Sequence, residues 1–348
     1  MRTFDYSFLE TGTLPASLIN ITASIYTLKT KSGYRKGDFE SIFTELEYIA
    51  RLQSVKSSNA IEGIVTSDQR IAEIVNQSSA PLNHDEAEIA GYRDALNLIH
   101  TQYEQLDFRE RDILDLHALM MSYAGYEYGG QYKKDDNVIL EVDRQGQRKV
   151  RFRPTSALET PAAMTQLELA YLDAKANPHV NQLLLIPCVI FDFLSIHPFR
   201  DGNGRLSRLL SLLLLYKNGF DIGQYISFED QINRTKAAYY EALRESSAGW
   251  AEGKNNYEPF IIYFISTLYA CYKTLDQRFA IIGDKRTTKR ERVEAVLMNS
   301  LIPISKSEIS KILLDVSPAT IETVLGEMVK DGRITRLGMG RGTKYIRN

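Results

Sequence analysis

A mainly helical fold with one small β-hairpin and a separate C-terminal unit is predicted by three observations. Apolar residues recur at helical spacing through most of the chain. Residues 137–153 break that pattern with strand-like runs, and the charge balance changes sign near residue 285. The 348 residues are 44% apolar and carry a formal net charge of −2. From Lys285 onward 13 basic residues face 7 acidic ones, a local charge of +6, so the preceding part carries −8. The shift follows the polar stretch Gly283-Asp-Lys-Arg-Thr-Thr-Lys-Arg290, which reads as a linker. The predicted division is an N-terminal helical region over 1–110, a core over 111–282 and a C-terminal unit over 285–348.

In order along the chain, Phe39, Ile42, Phe43, Leu46, Ile49, Ala50 and Leu52 mark a first helix. Asp85 to His100 and Glu110 to Met121 show the same period. Two strand-like runs then flank a turn at Gln145-Gly146, the first of them containing Val138, Ile139 and Leu140. Leu158 to Ala176 is a helix opened near Pro161, and Val180 to Ser195 is the next, its apolar run interrupted by Pro187 and Asp192. Leu206 to Tyr216 is apolar around most of its circumference, which predicts the central buried helix. Tyr257 to Leu275 adds a long helix with Pro259 in its first turn. Three further helices are expected over Arg292 to Asn299, Ser305 to Leu314 and Pro318 to Lys330. Arg333 to Arg347 alternates into a hairpin around Gly338 and Gly340.

Several function classes are excluded at this level. No stretch approaches the ~20 apolar residues of a membrane helix, and the N-terminus, with Asp5 and Glu10, lacks the basic start of a secretory signal. Cys188 and Cys271 lie in apolar helical stretches and read as packed thiols. A Cys/His metal-ligand set is missing from the sequence. The cytoplasm is the expected location.

The chemistry concentrates in His197-Pro-Phe-Arg-Asp-Gly-Asn-Gly-Arg-Leu-Ser-Arg208, a loop that opens a helix. Such a junction gathers free backbone N–H groups and the positive end of the helix dipole, a seat for phosphate. Gly202 and Gly204, flanking Asn203, let the backbone curl around an anion. Arg205 and Arg208 add guanidinium forks for the outer phosphates. Asp201 can hold Mg²⁺ that bridges phosphates. His197 is the group nearby able to take a proton near neutral pH.

This string resembles the signature of the Fic family, HxFx(D/E)GNGRxxR, with every defined position filled. The resemblance implies a Fic-type helical core with a hairpin flap, and a protein adenylyltransferase. In that family the histidine deprotonates a Ser, Thr or Tyr hydroxyl of a target protein, which then attacks the α-phosphate of Mg·ATP and releases pyrophosphate. By position, His197 is the base and Asp201 the Mg²⁺ ligand. Gly202, Asn203 and Gly204 form the anion nest, and Arg205 and Arg208 hold the β- and γ-phosphates. Leu206 and Ser207, between the two arginines, complete the candidate nucleotide-binding stretch. A related branch with lysine at the position of Gly204 phosphorylates its targets, and Gly204 argues against that chemistry. Ile190 and Leu194 depart from a histidine and a glutamate common in the family, which reads as a packing difference.

Three further resemblances belong to the same family. Ser58-Asn-Ala-Ile-Glu62-Gly63 fits its inhibitory pattern (S/T)xxxE(G/N), with Ser58 and Glu62 on one helix face and Gly63 as the stop. The resemblance pairs Glu62 with Arg208, withholding a cation that the γ-phosphate needs. The strand pair near Val138, Ile139 and Leu140 looks like the flap that holds an extended target segment by main-chain hydrogen bonds. Tyr239-Tyr240 followed by Leu243 resembles a stretch whose first tyrosine lies near the nucleotide base or ribose. The C-terminal unit resembles a winged helix whose wing carries five basic residues and no acidic ones. Glu322 and Glu327 on its third helix weigh against base reading, so DNA binding stands beside a protein-docking or homodimer role. A nucleotide-sensing DNA-binding transcriptional regulator is the alternative function, although such a sensor has no use for a base beside the α-phosphate.

Overall fold

The computed structural model describes residues 2–13, 15–77, 79–142, 148–283, 288–300, 303–313 and 316–348. The N-terminal third supplies helices α1 (Phe8–Thr11), α2 (Ala16–Asp38), α3 (Glu40–Ile61), α4 (Asp68–Val75) and α5 (His84–Gln102). After α6 (Glu110–Met121) the chain forms an antiparallel pair, β1 (Ile139–Val142) and β2 (Arg148–Phe152), in which Ile139 faces Phe152. Helices α7 (Thr160–Ala176), α8 (Gln182–Ile196), α9 (Asn203–Lys217), α10 (Phe228–Arg234), α11 (Lys236–Ser246) and α12 (Glu258–Gly283) complete this body. The expected turn at Gln145-Gly146 lies outside the described residues. No helix among the described residues is long and apolar enough to cross a membrane.

The predicted core is where the apolar pattern put it. Every residue from Leu183 to Ile196 is buried, which makes α8 the axis around which α7, α9 and α12 pack. α9 starts at Asn203, three residues before the apolar run, because Gly202 in a left-handed conformation (φ +79°) lets the helix begin there. Both Cys188 and Cys271 are buried free thiols. Helix α2 was not anticipated. Thr22, Ser24, Thr27 and Thr30 blur its polarity pattern while bonding back to carbonyls one turn earlier. It packs along α12, where Lys31 and Arg35 converge on Asp276 at 2.6 and 2.8 Å.

The C-terminal residues form α13 (Lys289–Asn299), β3 (Ile304–Ser305), α14 (Lys306–Ile312), α15 (Pro318–Lys330), β4 (Ile334–Leu337) and β5 (Lys344–Arg347). The three helices and the hairpin stand where expected, and β3 adds a short third strand beside β5 that the sequence did not announce. Thr288 with Glu291, and Ser305 with Glu308, cap α13 and α14 reciprocally. Val293, Ile309, Ile321 and Met328 belong to an apolar cluster distinct from the main one, and Ile312 packs against both.

Asp192 is a polar residue in the most apolar helix, and it is fully buried. Its carboxylate accepts from Tyr6 Oη (2.9 Å), Tyr257 Oη (2.7 Å) and Trp250 Nε1 (2.6 Å). Arg2 lies 3.8 Å away over the Trp250 ring. Three segments distant in sequence thus meet on one side chain. Removing it would strand three buried donors, so Asp192→Ala should lose about 3 kcal/mol or more of stability in urea unfolding. A loss below about 1 kcal/mol would mean that those donors find other partners.

Candidate functional site

The site is built on the junction between α8 and α9. His197 ends α8 with φ +52° and ψ +61°, an uncommon left-handed conformation for a residue with a Cβ. Its N–H still closes the helix on Phe193 O at 3.0 Å. The loop that follows is pinned by Asn203, whose amide accepts from Phe199 N–H and donates to Phe199 O, both at 2.9 Å. The Asn203 side chain is therefore spent on the loop, and the residue does not line the neighbouring cavity. Gly202 sits so close to α6 that a Cβ there would lie 2.8 Å from Met120 Cε. His117 on α6 stacks on Phe199, with ring centroids 3.8 Å apart. His117 Nδ1 accepts from Gly130 N–H at 2.9 Å, so Nε2 carries the proton and donates to Asp201 O at 3.1 Å.

A cavity of about 540 Å³ opens beside this junction. His197, Gly204, Arg208, Glu62, Tyr239, Tyr240, Ile139 and Phe152 all contribute to its wall. The string at 197–208, the Ser58–Gly63 motif, the hairpin and the tyrosine pair are therefore brought to one place. Burial, opposed by the Leu194 carbonyl and aided by the Lys133 ammonium, lowers His197 to about 4. It is neutral at pH 7, and with Nδ1 donating to Leu194 O at 3.2 Å, Nε2 is left as the acceptor.

Arg208 is almost wholly buried and lies against the end of α3. Its Nε donates to Ser58 Oγ at 2.9 Å, and its Nη2 donates to Ser58 O and to Glu62 Oε1, both at 2.8 Å. Burial is the strongest single influence and works against the charge, but Glu62 together with Tyr239 and Tyr92 holds Arg208 above its ordinary value. The Glu62 carboxylate also covers the first turn of α9: a Cβ on Gly204 would be 2.3 Å from Glu62 Oε1. An acidic group thus lies over the N-terminal turn of α9. Its position is set by the way α3 ends. Gly63, at φ +86°, donates to Ala60 O and Ile64 N–H donates to Asn59 O, each at 3.1 Å, a Schellman stop. Lys236 of α11 caps the exposed Ile61 carbonyl at 2.6 Å.

Other residues of the string lie elsewhere. Arg205, Leu206 and Ser207 do not line the cavity. Arg205 is buried with Nη1 2.6 Å from Glu88 Oε2 of α5, and its Nη2 is 3.9 Å from Asp201 Oδ2. Ser207 Oγ donates to Gly204 O at 2.7 Å, and Leu206 is in the core. The Asp201 side chain is 54% exposed, with Oδ1 held by Gly202 N–H at 2.6 Å. Among the described residues no group of three His, Cys, Asp or Glu side chains could hold a metal. Asp201 does not line the cavity, but a single open carboxylate is a group that could hold Mg²⁺, which takes most of its ligands from phosphates and water.

The hairpin borders the cavity through Ile139 and Phe152, with a bulge between Ile139 and Leu140. Val138 is exposed, and the Leu140 side chain lies outside the described ones. Tyr239 is buried, and burial pushes the Tyr240 phenol up to about 12. Leu194 lines the cavity and Ile190 is core. His117 and Glu88 were not recognised from sequence: each is one ordinary residue of an amphipathic helix, and its partner lies about 85 or 115 positions away.

A model of the Fic/DOC family matches residues 106–215. A Fido domain-containing protein of Dictyostelium discoideum is 32% identical over 117 residues, which cover 32% of this chain and 79% of that protein. A protein adenylyltransferase Fic of Nematostella vectensis is 26% identical over 212 residues, 58% of this chain. The match spans 44% of that relative's length. The crystal structure of a Fic family protein from Desulfovibrio desulfuricans G20 superimposes with a TM-score of 0.63 at 19% identity, covering 97% of each chain. That likeness shows the fold. Signature, cavity and relatives agree, and the chain belongs to the Fic/DOC family.

Proposed function

We propose that the protein transfers AMP from Mg·ATP to a Ser, Thr or Tyr hydroxyl of a target protein, and that Glu62 holds this activity in check. One observation carries the reading: the 2.8 Å pair between Glu62 and Arg208 lies in the same cavity as His197 and covers Gly204. A carboxylate on an arginine at a helix N-terminus is the mimic of a phosphate.

The chain's part in the reaction follows from its groups. The neutral His197 Nε2 takes the hydroxyl proton as the target oxygen bonds to the α-phosphorus. The bond from that phosphorus to the α,β-bridging oxygen breaks, and pyrophosphate leaves. The N–H groups that open α9 and the Arg208 guanidinium hold the departing phosphates in line. Asp201 would hold Mg²⁺, which would supply charge neutralisation for the phosphates. Arg205, set by Glu88, steadies Asp201. An extended target segment would pair with the hairpin edge near Val138 and Ile139, and the Tyr239 ring is suited to face the nucleoside. With Glu62 on Arg208 the γ-phosphate lacks its cation, so bound ATP is misaligned.

For the C-terminal unit, read as a winged helix, we favour protein docking or a dimer contact over DNA. Arg333 pairs with Glu294 at 2.8 Å, Arg290 with Glu294 and Glu327 at 2.9 and 2.6 Å, and Lys306 with Glu322 at 2.7 Å. Arg290, Lys306 and, on the wing, Arg333 are therefore answered internally.

Glu62→Gly should raise self-labelling and target labelling with α-labelled ATP well above wild type, with Glu62→Gln intermediate. Adding His197→Ala should abolish the gain, since a lost general base costs about 10²–10⁴-fold. An unchanged rate in a folded, ATP-binding Glu62→Gly protein would remove Glu62 from regulation. Adding Arg208→Ala to Glu62→Gly should depress transfer and raise KM for ATP, because the guanidinium serves the phosphate as well as Glu62. Full activity in that double variant would leave Arg208 as an inhibitory partner only. A protein truncated after Gly283 should keep self-labelling, and the full chain should hold no duplex DNA at about 200 mM salt. A complex that survives there would favour the DNA reading.

A further inference from the structure

Neither the signature nor the inhibitory motif includes Lys133, yet from the segment between α6 and β1 it reaches the carbonyls on either side of His197. Lys133 is 5% exposed. Its ammonium donates to Ile196 O at 3.2 Å and to Asn137 Oδ1 at 2.9 Å. Its backbone N–H donates to Pro198 O at 2.9 Å, and Asn137 Nδ2 donates to Phe199 O at 3.3 Å. The carbonyls immediately before and after His197, and the next one, are thus each held by a group from 133 or 137. Ile196 O belongs to the last turn of α8 and has no partner within its own helix.

A charged amine in such a place is costly. Burying an ammonium is unfavourable, and its carbonyl and amide acceptors only partly offset that cost. Methionine would fill the same space without that cost. The ammonium is spent on Ile196 O, the carbonyl that immediately precedes His197. His197 also needs restraint, because its left-handed backbone conformation is sparsely populated for residues with a Cβ.

We propose that Lys133 and Asn137 are positioning residues for the transfer reaction: they clamp residues 196–199 so that His197 faces the cavity, and they fasten the root of the hairpin to that segment. This rests on the AMP-transfer reading. The clamp gives a target segment laid on the hairpin a fixed register to Nε2, since Asn137 lies two residues before β1. The charged groups around the pair act in opposed directions. Lys133 lowers His197, whereas Glu62 and Asp201 raise it, and burial remains the largest influence. Burial lowers Lys133 itself to about 8, against Asp136, so at pH 7 the amine is mostly charged.

The test compares Lys133→Met, Lys133→Arg and Asn137→Ala in full-length Glu62→Gly protein. The readouts are kcat, KM for ATP, thermal midpoint and the His197 titration followed by proton NMR without nucleotide. Lys133→Met should cut kcat about 10- to 100-fold while KM for ATP stays within about twofold, the signature of a displaced group rather than lost binding. Its His197 midpoint should move up from about 4 toward the ordinary 6.5. Lys133→Arg should keep the low midpoint and recover part of kcat. Asn137→Ala should lower kcat without moving the midpoint. A Lys133→Met protein with a lower thermal midpoint but unaltered kcat and His197 titration would reduce the residue to a structural prop and overturn the proposal. If Lys133→Met does not fold, unchanged kcat in Asn137→Ala overturns the clamp, and a raised midpoint in Lys133→Arg overturns the charge effect. Failure of Glu62→Gly itself to transfer AMP would instead refute the functional reading, and the titration would still decide whether Lys133 tunes His197.

Discussion

A guanidinium buried beneath leucines must have a counter-charge, and Arg208 has one. It sits in the second turn of α9, whose other buried positions are mostly Leu, where an unanswered charge would cost several kcal/mol. Ser58 and Glu62 answer it from α3, 150 and 146 positions away in the chain. Much of the N-terminal architecture serves that contact. The apolar face of α3 seats it, Ser54 and Ser57 tie it to Glu229 and Asp230 of α10, and the Schellman stop aims Glu62 over Gly204.

On the proposed reading the same constraint makes the site bistable. Arg208 remains buried whichever anion it faces, so removing Glu62 without a replacement is costly, and replacing it with a phosphate is not. A third of the Glu62 side chain remains exposed, so the carboxylate has a route off the arginine into water. Glycine at 204 is what lets either anion approach the first turn of α9, because a Cβ would occupy the place of the carboxylate. His197, the proposed base, is set separately: its proton affinity is lowered by burial, and its ring is oriented through Nδ1.

Much of this was legible in the sequence because it is local. The loop-to-helix string, the glycine stop at 63 and the apolar periodicity of α5 to α9 each depend on neighbours within a few residues. What was illegible depends on contacts across the fold. Tyr6, Trp250 and Tyr257 look like ordinary aromatics until Asp192 is seen beneath them. Arg205 carries the same side chain as Arg208, and only the approach of Glu88 from α5 turns it away from the cavity wall. Asn203 reads as part of an anion nest, yet its amide finds a backbone partner four residues earlier. Helix α2 escaped notice because its hydroxyl residues satisfy themselves on the helix backbone and so blur the amphipathic pattern.

The central claim is that Glu62 stands where the γ-phosphate would bind. Calorimetric affinities for ATP and ADP, measured with Mg²⁺ on wild type and Glu62→Gly, test it without reference to any target protein. The account predicts that wild type binds the two nucleotides about equally, because Arg208 is taken. In Glu62→Gly the γ-phosphate should gain a charge-assisted bond, making ATP tighter than ADP by about tenfold or more. The same ATP-to-ADP ratio in both proteins would mean that Glu62 and the γ-phosphate do not compete for Arg208.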